Sequence, residues 1–280
     1  MPKKEPIGEI EVNLFSLKTK SIAVFEKTKL FEFYEQCVDG VKGVSAADVR
    51  LFRDEESDDS GDARPVDQSP ADHKKKLSDL KVEPGMKFKL WWASQILTLE
   101  DQELLSNKIR AVFKKPLGPC IYRGAQHGWS RDDFENHCAL KGPLVFIIHA
   151  TGGGQSKSQT NRRKFGGFLS VNIEKDVAKG GYRPAPYSFL FNLGTKSFFE
   201  VIPARSSKGV FFSSKGCSSV LSMGGGDLCV YENANDHEFN FVKAPQSYDT
   251  TVKAMLGHET MYFGVKSFEA FSLLSAFSVK

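Results

Sequence analysis

The fold of the second half of the chain is decided by a short stretch, SRDDFENHCALKGPLVFII at residues 130–148. Ser130 can accept the backbone N–H of Asp133 at a helix start, and the glycine–proline pair at 142–143 ends that helix. The apolar run at 144–148 shows no polar alternation, which is typical of a central strand buried on both faces. The stretch therefore predicts a capped helix followed by a core strand.

Further motifs rich in glycine and phenylalanine surround this stretch. They are Ile121–Phe134, Phe165–Phe168, Ser188–Leu193, Met223–Val230, Glu232–Asn235 with Ser247-Tyr248, and Leu256-Gly257 with Phe263–Phe271. Taken in order, they resemble the motifs of the TLDc domain family over about residues 97–275. The resemblance implies a curved two-sheet β-sandwich with peripheral helices and with no established catalytic residues. Met223, where the family more often has an aromatic residue, and a long loop after Thr151 depart from the pattern.

The N-terminal segment, residues 8–95, has the element order of a small mixed domain. Period-two alternation predicts a β-hairpin over 10–24, and helical spacing predicts a helix over 30–38. Strands are predicted near 49–52 and at 87–92. This order resembles the β-grasp fold of ubiquitin-like domains, which generally bind other proteins. The predicted class is α+β, with a ubiquitin-like domain at 8–95 and a TLDc domain at 97–280.

A helix is predicted between these two segments. Thr98 and Asp101 resemble a capping box, apolar residues follow at helical spacing over 104–113, and Pro116 lies just beyond the predicted end. Such a stripe can bind a partner, but it more often packs on a neighbouring domain. We assign the helix to the start of the second domain.

Charge and cysteine content narrow the class of protein. The net charge of +4 is shared as −2 over residues 1–95 and +6 over the remainder, too mild a bias for a nucleic-acid binder. The block at 54–62 has six acids in nine residues and predicts a solvated loop. Five cysteines without a C-x-x-C pair argue against a disulfide framework and a zinc site. Without an apolar signal stretch or a long apolar run, we expect a soluble cytoplasmic protein.

Catalytic motifs are incomplete wherever they begin. Gly152-Gly153-Gly154 is not followed by the lysine of a phosphate-binding loop, and His258-Glu259 lacks the second histidine of a zinc-protease motif. Cys217 is expected to be the exposed thiol, whereas Cys138 and Cys229 lie at apolar positions. We therefore expect a non-enzyme without cofactor or metal. A peroxide-consuming enzyme that depends on Cys217 is the catalytic alternative.

The resemblance implies a role for the chain. TLDc proteins are associated with protection against oxidative stress and with binding the cytosolic part of the vacuolar proton-pumping ATPase. We expect a protein-binding adaptor that is cytoplasmic or recruited to vacuolar and endolysosomal membranes. The alternative is a structural component of a cytoskeletal or ciliary assembly. The candidate partner-binding residues are Phe165, Gly166, Gly167, Phe168, Gly224, Gly225, Gly226, Asp227 and Glu269.

Overall fold

The protein is described here by a computed structural model. It describes residues 6–25, 27–39, 41, 44–53, 66, 72, 74–83, 85–151, 164–175, 177, 179–214 and 216–274. The predicted acidic loop at 54–62 and the glycine loop at 152–154 lie outside the described residues. The chain divides into two compact units, the described parts of Met1–Pro119 and Leu274–Lys280, and those of Cys120–Leu273.

The first unit is built on a four-stranded sheet with one helix following the first hairpin. Its elements are β1 (Gly8–Leu14), β2 (Lys18–Val24), α1 (Leu30–Val38), β3 (Val49–Arg53) and β4 (Lys87–Trp92). The strand order is β2-β1-β4-β3, with β1 and β4 parallel and the other pairs antiparallel. This arrangement is β-grasp-like and confirms the predicted class of the N-terminal segment.

The core of this unit follows the alternation seen in the sequence. Ile10 and Val12 of β1 are fully buried, as are Phe33 and Tyr34 of α1. The backbone N–H of Leu51 donates to the Tyr34 hydroxyl at 3.0 Å, so the one polar atom of this ring is satisfied inside the core. Apolar burial and this buried hydrogen bond together hold α1 to the sheet.

Helix α2 (Leu99–Phe113) belongs to the first unit by its contacts. The predicted capping box is present, because Thr98 accepts the N–H of Asp101 and Asp101 accepts the N–H of Thr98. Gln102 is buried and forms two hydrogen bonds of 3.0 Å with the backbone N–H and C=O of Trp92. The Trp92 indole N–H donates to the carbonyl of Leu117 at 2.7 Å. Trp92 of β4 therefore forms hydrogen bonds both with helix α2 and with the segment that follows it.

The Gln102 amide can be tested by substitution. Gln102→Leu removes both partners of the Trp92 backbone at a buried position, so the free energy of unfolding should fall by about 2–3 kcal/mol. Gln36→Leu changes an exposed glutamine of α1 and should stay within about 0.5 kcal/mol of the parent. Urea unfolding followed by tryptophan fluorescence measures both variants. Equal losses in the two variants would show that the Gln102 contact contributes nothing.

The second unit is built on a long antiparallel sheet. Its strands are β5 (Leu117–Arg123), β6 (Leu144–Thr151), β7 (Lys164–Leu169), β8 (Gly181–Arg183), β9 (Phe189–Asn192), β10 (Ser197–Glu200), β11 (Val210–Phe212), β12 (Ser219–Met223), β13 (Leu228–Tyr231), β14 (Asn240–Phe241) and β15 (Tyr262–Leu273). The main path runs β10-β9-β7-β6-β15-β14-β13-β12-β11-β8, and β5 pairs with β15 off this path. Short helices α3 (Gly124–His127), α4 (Arg131–Cys138) and α5 (Val252–Leu256) lie in the connections.

The two layers expected from the sequence are formed by one sheet. Strand β15 pairs with β6 on one side and β14 on the other, and its register shifts between Val265 and Ser267. Inward-facing residues of both halves, such as Phe146 and Met223, share a single hydrophobic core. The irregularity in β15 is the kind of feature that bends a strand. The sheet is thus continuous through β15, with the core between its two halves.

Candidate partner-binding surface

The first group of predicted site residues lies inside the second unit. Phe165 and Phe168 of β7 are fully buried, and β7 is flanked by β6 and β9. A Cβ atom on Gly166 would lie 1.8 Å from the Phe146 carbonyl oxygen, and one on Gly167 would lie 2.3 Å from the Met223 sulfur. These glycines therefore allow close packing of the strand. Partner contact by this group stays a prediction, and its burial argues against a direct contact.

The second group forms a turn. Strand β12 ends at Met223 and β13 begins at Leu228, with Gly224 at φ +63° and Gly226 at φ +103° between them. Gly224-Gly225-Gly226 lies between largely apolar segments, a pattern that predicts a bulge or a close backbone approach within a strand. The placement within a strand is wrong, because the chain reverses here. Positive φ angles at two of the glycines make a hairpin turn, a conformation that side chains with a Cβ rarely adopt. Of these residues only Gly225 is half-buried, and the other three are buried.

Asp227 closes this turn onto a distant segment. Its carboxylate is fully buried and accepts the backbone N–H groups of Gln246 at 2.6 Å and Ser247 at 2.7 Å. Burial raises the pKa of Asp227, while backbone N–H donors, chiefly those of the segment 246–248, oppose the rise. We call this contact the Asp227 clasp. Its geometry is structural, because the carboxylate oxygens point at the protein's own backbone.

Two glycine substitutions distinguish the contribution of the Asp227 clasp to stability from that of backbone strain alone. A Cβ on Gly224 would lie 2.0 Å from the Asp227 carboxylate, whereas one on Gly257, also at positive φ, meets nothing within 4 Å. Gly257→Ala should cost about 1 kcal/mol of unfolding free energy. Gly224→Ala should cost about 2–4 kcal/mol, because it also displaces the buried carboxylate from its donors. Matching unfolding curves for the two variants would refute the role given to the clasp.

The last predicted residue, Glu269, is buried in an ion pair. Its carboxylate lies 3.0 Å from Nε of Arg123. The backbone N–H of Arg123 donates to Nδ1 of His127 at 3.0 Å, so this nitrogen is unprotonated. The His127 ring stacks on His137 with centroids 4.0 Å apart and planes 11° apart. Burial, then the neighbouring His137 and Arg123, lower the pKa of His127, and Asp133 opposes the shift.

The sign of this shift fixes a pH dependence. Since the folded pKa of His127 lies below the ordinary value of 6.5, the neutral ring stabilises the fold above that pH. This contribution is lost as the pH falls through the folded pKa. An NMR titration of the His127 ring should give a midpoint below 6.5, and His137→Gln should move it upward. A midpoint at or above 6.5 in the parent chain would contradict the lowered pKa of His127.

A row of cross-strand residues that is exposed at its two ends lies next to the Gly224–Asp227 turn and was not predicted. Cross-strand pairs join Tyr182 to Phe211, Ser222 to Cys229, Cys229 to Phe241 and Phe241 to Tyr262. Phe211 lies beside Ser222, because the preceding residue Val210 pairs with Met223 in antiparallel strands. The six residues thus follow one another across neighbouring strands. Paired residues lie on the same face of a sheet. We call these six residues the aromatic row. At about 4.8 Å per strand the row spans about 24 Å.

The aromatic row lies on the face of the sheet opposite the core, with Phe211 and Phe241 half-buried and its central members Ser222 and Cys229 buried. Its neighbours along the strands, including Val210, Phe212, Leu228 and Val230, belong to the hydrophobic core on the other face. At the ends of the row Tyr182 is 42% exposed and Tyr262 is 51% exposed. Sequence reasoning missed the row because its members are far apart in the chain and only strand register aligns them. Because β11 and β13 are apolar at every position, period-two alternation could not reveal it.

Exposed aromatic residues continue beside the row. Phe239 is 70% exposed and packs on His237 with ring centroids 5.3 Å apart. Tyr231 packs on Phe241 at 6.1 Å. Burial, then the nearby Cys229 and Tyr262, raise the pKa of Tyr231. Extended apolar surface of this kind marks interaction sites in soluble domains.

The cysteines are placed as the sequence predicts. Cys138 and Cys229 are buried, and Cys217 is exposed. Burial is the main cause that raises the pKa of the Cys138 and Cys229 thiols. Within the described residues no cluster of three or more His, Cys, Asp or Glu side chains could hold a metal ion. In the same part of the chain no helix has the length and apolar character needed to cross a bilayer.

Comparison with known proteins identifies most of the chain. None of the curated proteins compared with it is significantly similar. Among solved structures, the chain is similar to an NMR solution structure of a computationally designed protein based on the template of human erythrocytic ubiquitin. That likeness has 18% identity and a TM-score of 0.24, and covers 32% of this chain and 95% of that one. The family model of the TLDc domain matches residues 92–274. Because this match spans well over half of the sequence, the chain belongs to the TLDc domain family.

Proposed function

We propose that the chain is a non-catalytic, protein-binding adaptor that binds the cytosolic sector of the vacuolar proton-pumping ATPase. The aromatic row carries this proposal, because its exposed ends, Tyr182 and Tyr262, and the neighbouring Phe239 present apolar surface on the domain that matches the TLDc family. The role in oxidative stress that the resemblance implies would then be indirect, through the pump. The β-grasp-like unit is proposed to be ubiquitin-like and to bind a second protein.

The chemistry of the buried charges supports a binding role. Asp227 is saturated by backbone donors, Glu269 pairs with Arg123, and Glu135 pairs with Arg131. Arg131 in turn donates to the carbonyls of Ser213 and Ser214. Each of these groups is satisfied by the protein's own atoms, as expected of structural ion pairs. A general acid or base would instead need to face a substrate.

Direct mixing tests the proposal. The full chain and the purified cytosolic sector of the pump should co-elute in size-exclusion chromatography at micromolar concentrations. The Lys141→Glu variant, which changes an exposed lysine after α4, should co-elute equally well. Separate elution of the two components would reject the pump as the partner. Recovery of the chain in a salt-resistant cytoskeletal pellet would favour the structural alternative.

The non-catalytic part of the proposal has its own readout. Cys217 is the exposed thiol and lies 3.5 Å from the Ser214 hydroxyl. With hydrogen peroxide and a thiol reductant, the parent chain and Cys217→Ser should consume peroxide equally slowly. Turnover in the parent that disappears in Cys217→Ser would show an enzyme.

A further inference from the structure

Cations are placed along one side of the aromatic row. Nζ of Lys208 lies 5.6 Å from the centre of the Tyr182 ring, within the range of a cation–π contact. Arg205 is exposed, and its Nη1 donates to the carbonyl of Gln246 at 2.8 Å. Lys243 is exposed two residues after Phe241, where its N–H donates to the carbonyl of Gly226. All three lie on the side of the row where the 224–227 turn closes the hairpin.

The turn itself locates Arg205 beside the row. A Cβ on Gly225 would lie 3.3 Å from Gln246 and 3.6 Å from the Tyr182 hydroxyl, so both side chains flank this glycine. Because Arg205 is bound to the Gln246 carbonyl, its guanidinium lies near the Tyr182 end of the row. The nearest acid in the turn, Asp227, is buried and occupied by backbone donors. Within the described residues, none of the three cations has a carboxylate partner.

Acids lie on the opposite side of the row. Asp236 and Glu238 are exposed in the turn that leads to Phe239, and Glu238 lies near Gly264 on β15. Apolar surface therefore separates a cationic side from an acidic side. A surface of this kind selects the orientation of a charged partner, because like charges that meet across an interface are costly.

We propose that the aromatic row, with Arg205, Lys208 and Lys243, docks an acidic segment of a partner protein. Aromatic and aliphatic side chains of that segment cover the row, and its carboxylates meet the three cations. The inference rests on the proposed function and deepens it by naming the chemistry of the partner. Burial of the exposed rings supplies the affinity, while the cations set the orientation and the salt dependence.

A polypeptide fits this surface better than a nucleic acid. Rings and cations together can also hold single-stranded nucleic acid. A phosphate backbone that followed the row, however, would run beside the exposed Glu238, which lies near Gly264 on β15. A peptide can place its acids on the cationic side alone. A nucleic acid and a second copy of the chain are therefore alternative occupants that the experiment must separate.

Selection from a library tests the proposed chemistry. A phage-displayed library of random 16-residue peptides is selected on the immobilised full chain. The recovered peptides should be at least about twofold enriched in Asp and Glu, and should contain aromatic or aliphatic residues. Their affinity, measured by fluorescence anisotropy, should fall at least about tenfold in the Lys208→Glu/Lys243→Glu variant and in Tyr262→Ser. It should be unchanged in Lys141→Glu. These positions are exposed, so unfolding midpoints should match the parent.

Other outcomes overturn the inference. Basic or neutral recovered peptides, or acidic peptides that bind the charge-reversed variant equally well, would reject the cationic side as the determinant. Tight binding of a 16-nucleotide oligothymidylate that Tyr262→Ser abolishes would assign the row to nucleic acid. A dimer in sedimentation velocity that Tyr262→Ser dissociates would assign it to a second copy.

The outcomes also separate this inference from the proposed function. If the pump sector co-elutes with the parent chain and equally with the charge-reversed variant, the docking inference fails and the adaptor function stands. If no pump sector co-elutes but acidic peptides still depend on Lys208 and Lys243, the pump assignment fails and the docking surface stands.

Discussion

The second unit, Cys120–Leu273, depends on the hydrogen bonds of the buried Asp227 carboxylate. Isolated burial of such a charge would cost several kcal/mol, and the backbone N–H groups of the 246–248 segment offset that cost. The carbonyl of Gly209 extends the contact, since it accepts the Gly224 N–H at 2.9 Å and the Tyr248 hydroxyl at 2.8 Å. The hairpin turn, the 246–248 segment and the start of β11 are therefore held at one point. The N–H of Ile202 donates to the Ser247 carbonyl, which brings the helical turn carrying Arg205 and Lys208 to the same place.

Close approach of backbone and side chains imposes the second constraint. The absence of a Cβ at Gly166 leaves room for the Phe146 carbonyl, and its absence at Gly167 leaves room for the Met223 sulfur. Met223 thus fills the space above a glycine. A larger ring at this position would need a different fit, because interiors are packed without spare volume. The two halves of the sheet meet at this contact, because Gly167 lies on β7 and Met223 on β12.

Local signals in the sequence were sufficient for much of the fold. The capping boxes at Thr98 and Ser130 begin helices as predicted, because a cap involves residues only three apart. The turn at glycines 224–226 was not predicted, since a run of apolar residues on both sides does not show where the chain reverses. Which unit α2 packs on was also beyond local reasoning. Its contact with Trp92 depends on Gln102, a polar residue whose burial follows from tertiary structure.

Local sequence patterns reveal even less about the candidate site than about the fold. The motifs Phe165–Phe168, Ser188–Leu193 and Met223–Val230, which help to carry the family resemblance, are almost entirely buried, so they identify the scaffold and give no account of the surface. The aromatic row exists only when six strands are in register, because each of these strands contributes one residue to it. A partner that binds the row must therefore bind the folded sheet and not its unfolded segments. Such binding stabilises the folded state by mass action, and the benefit falls on the β12–β13 hairpin and the Asp227 clasp that support the row.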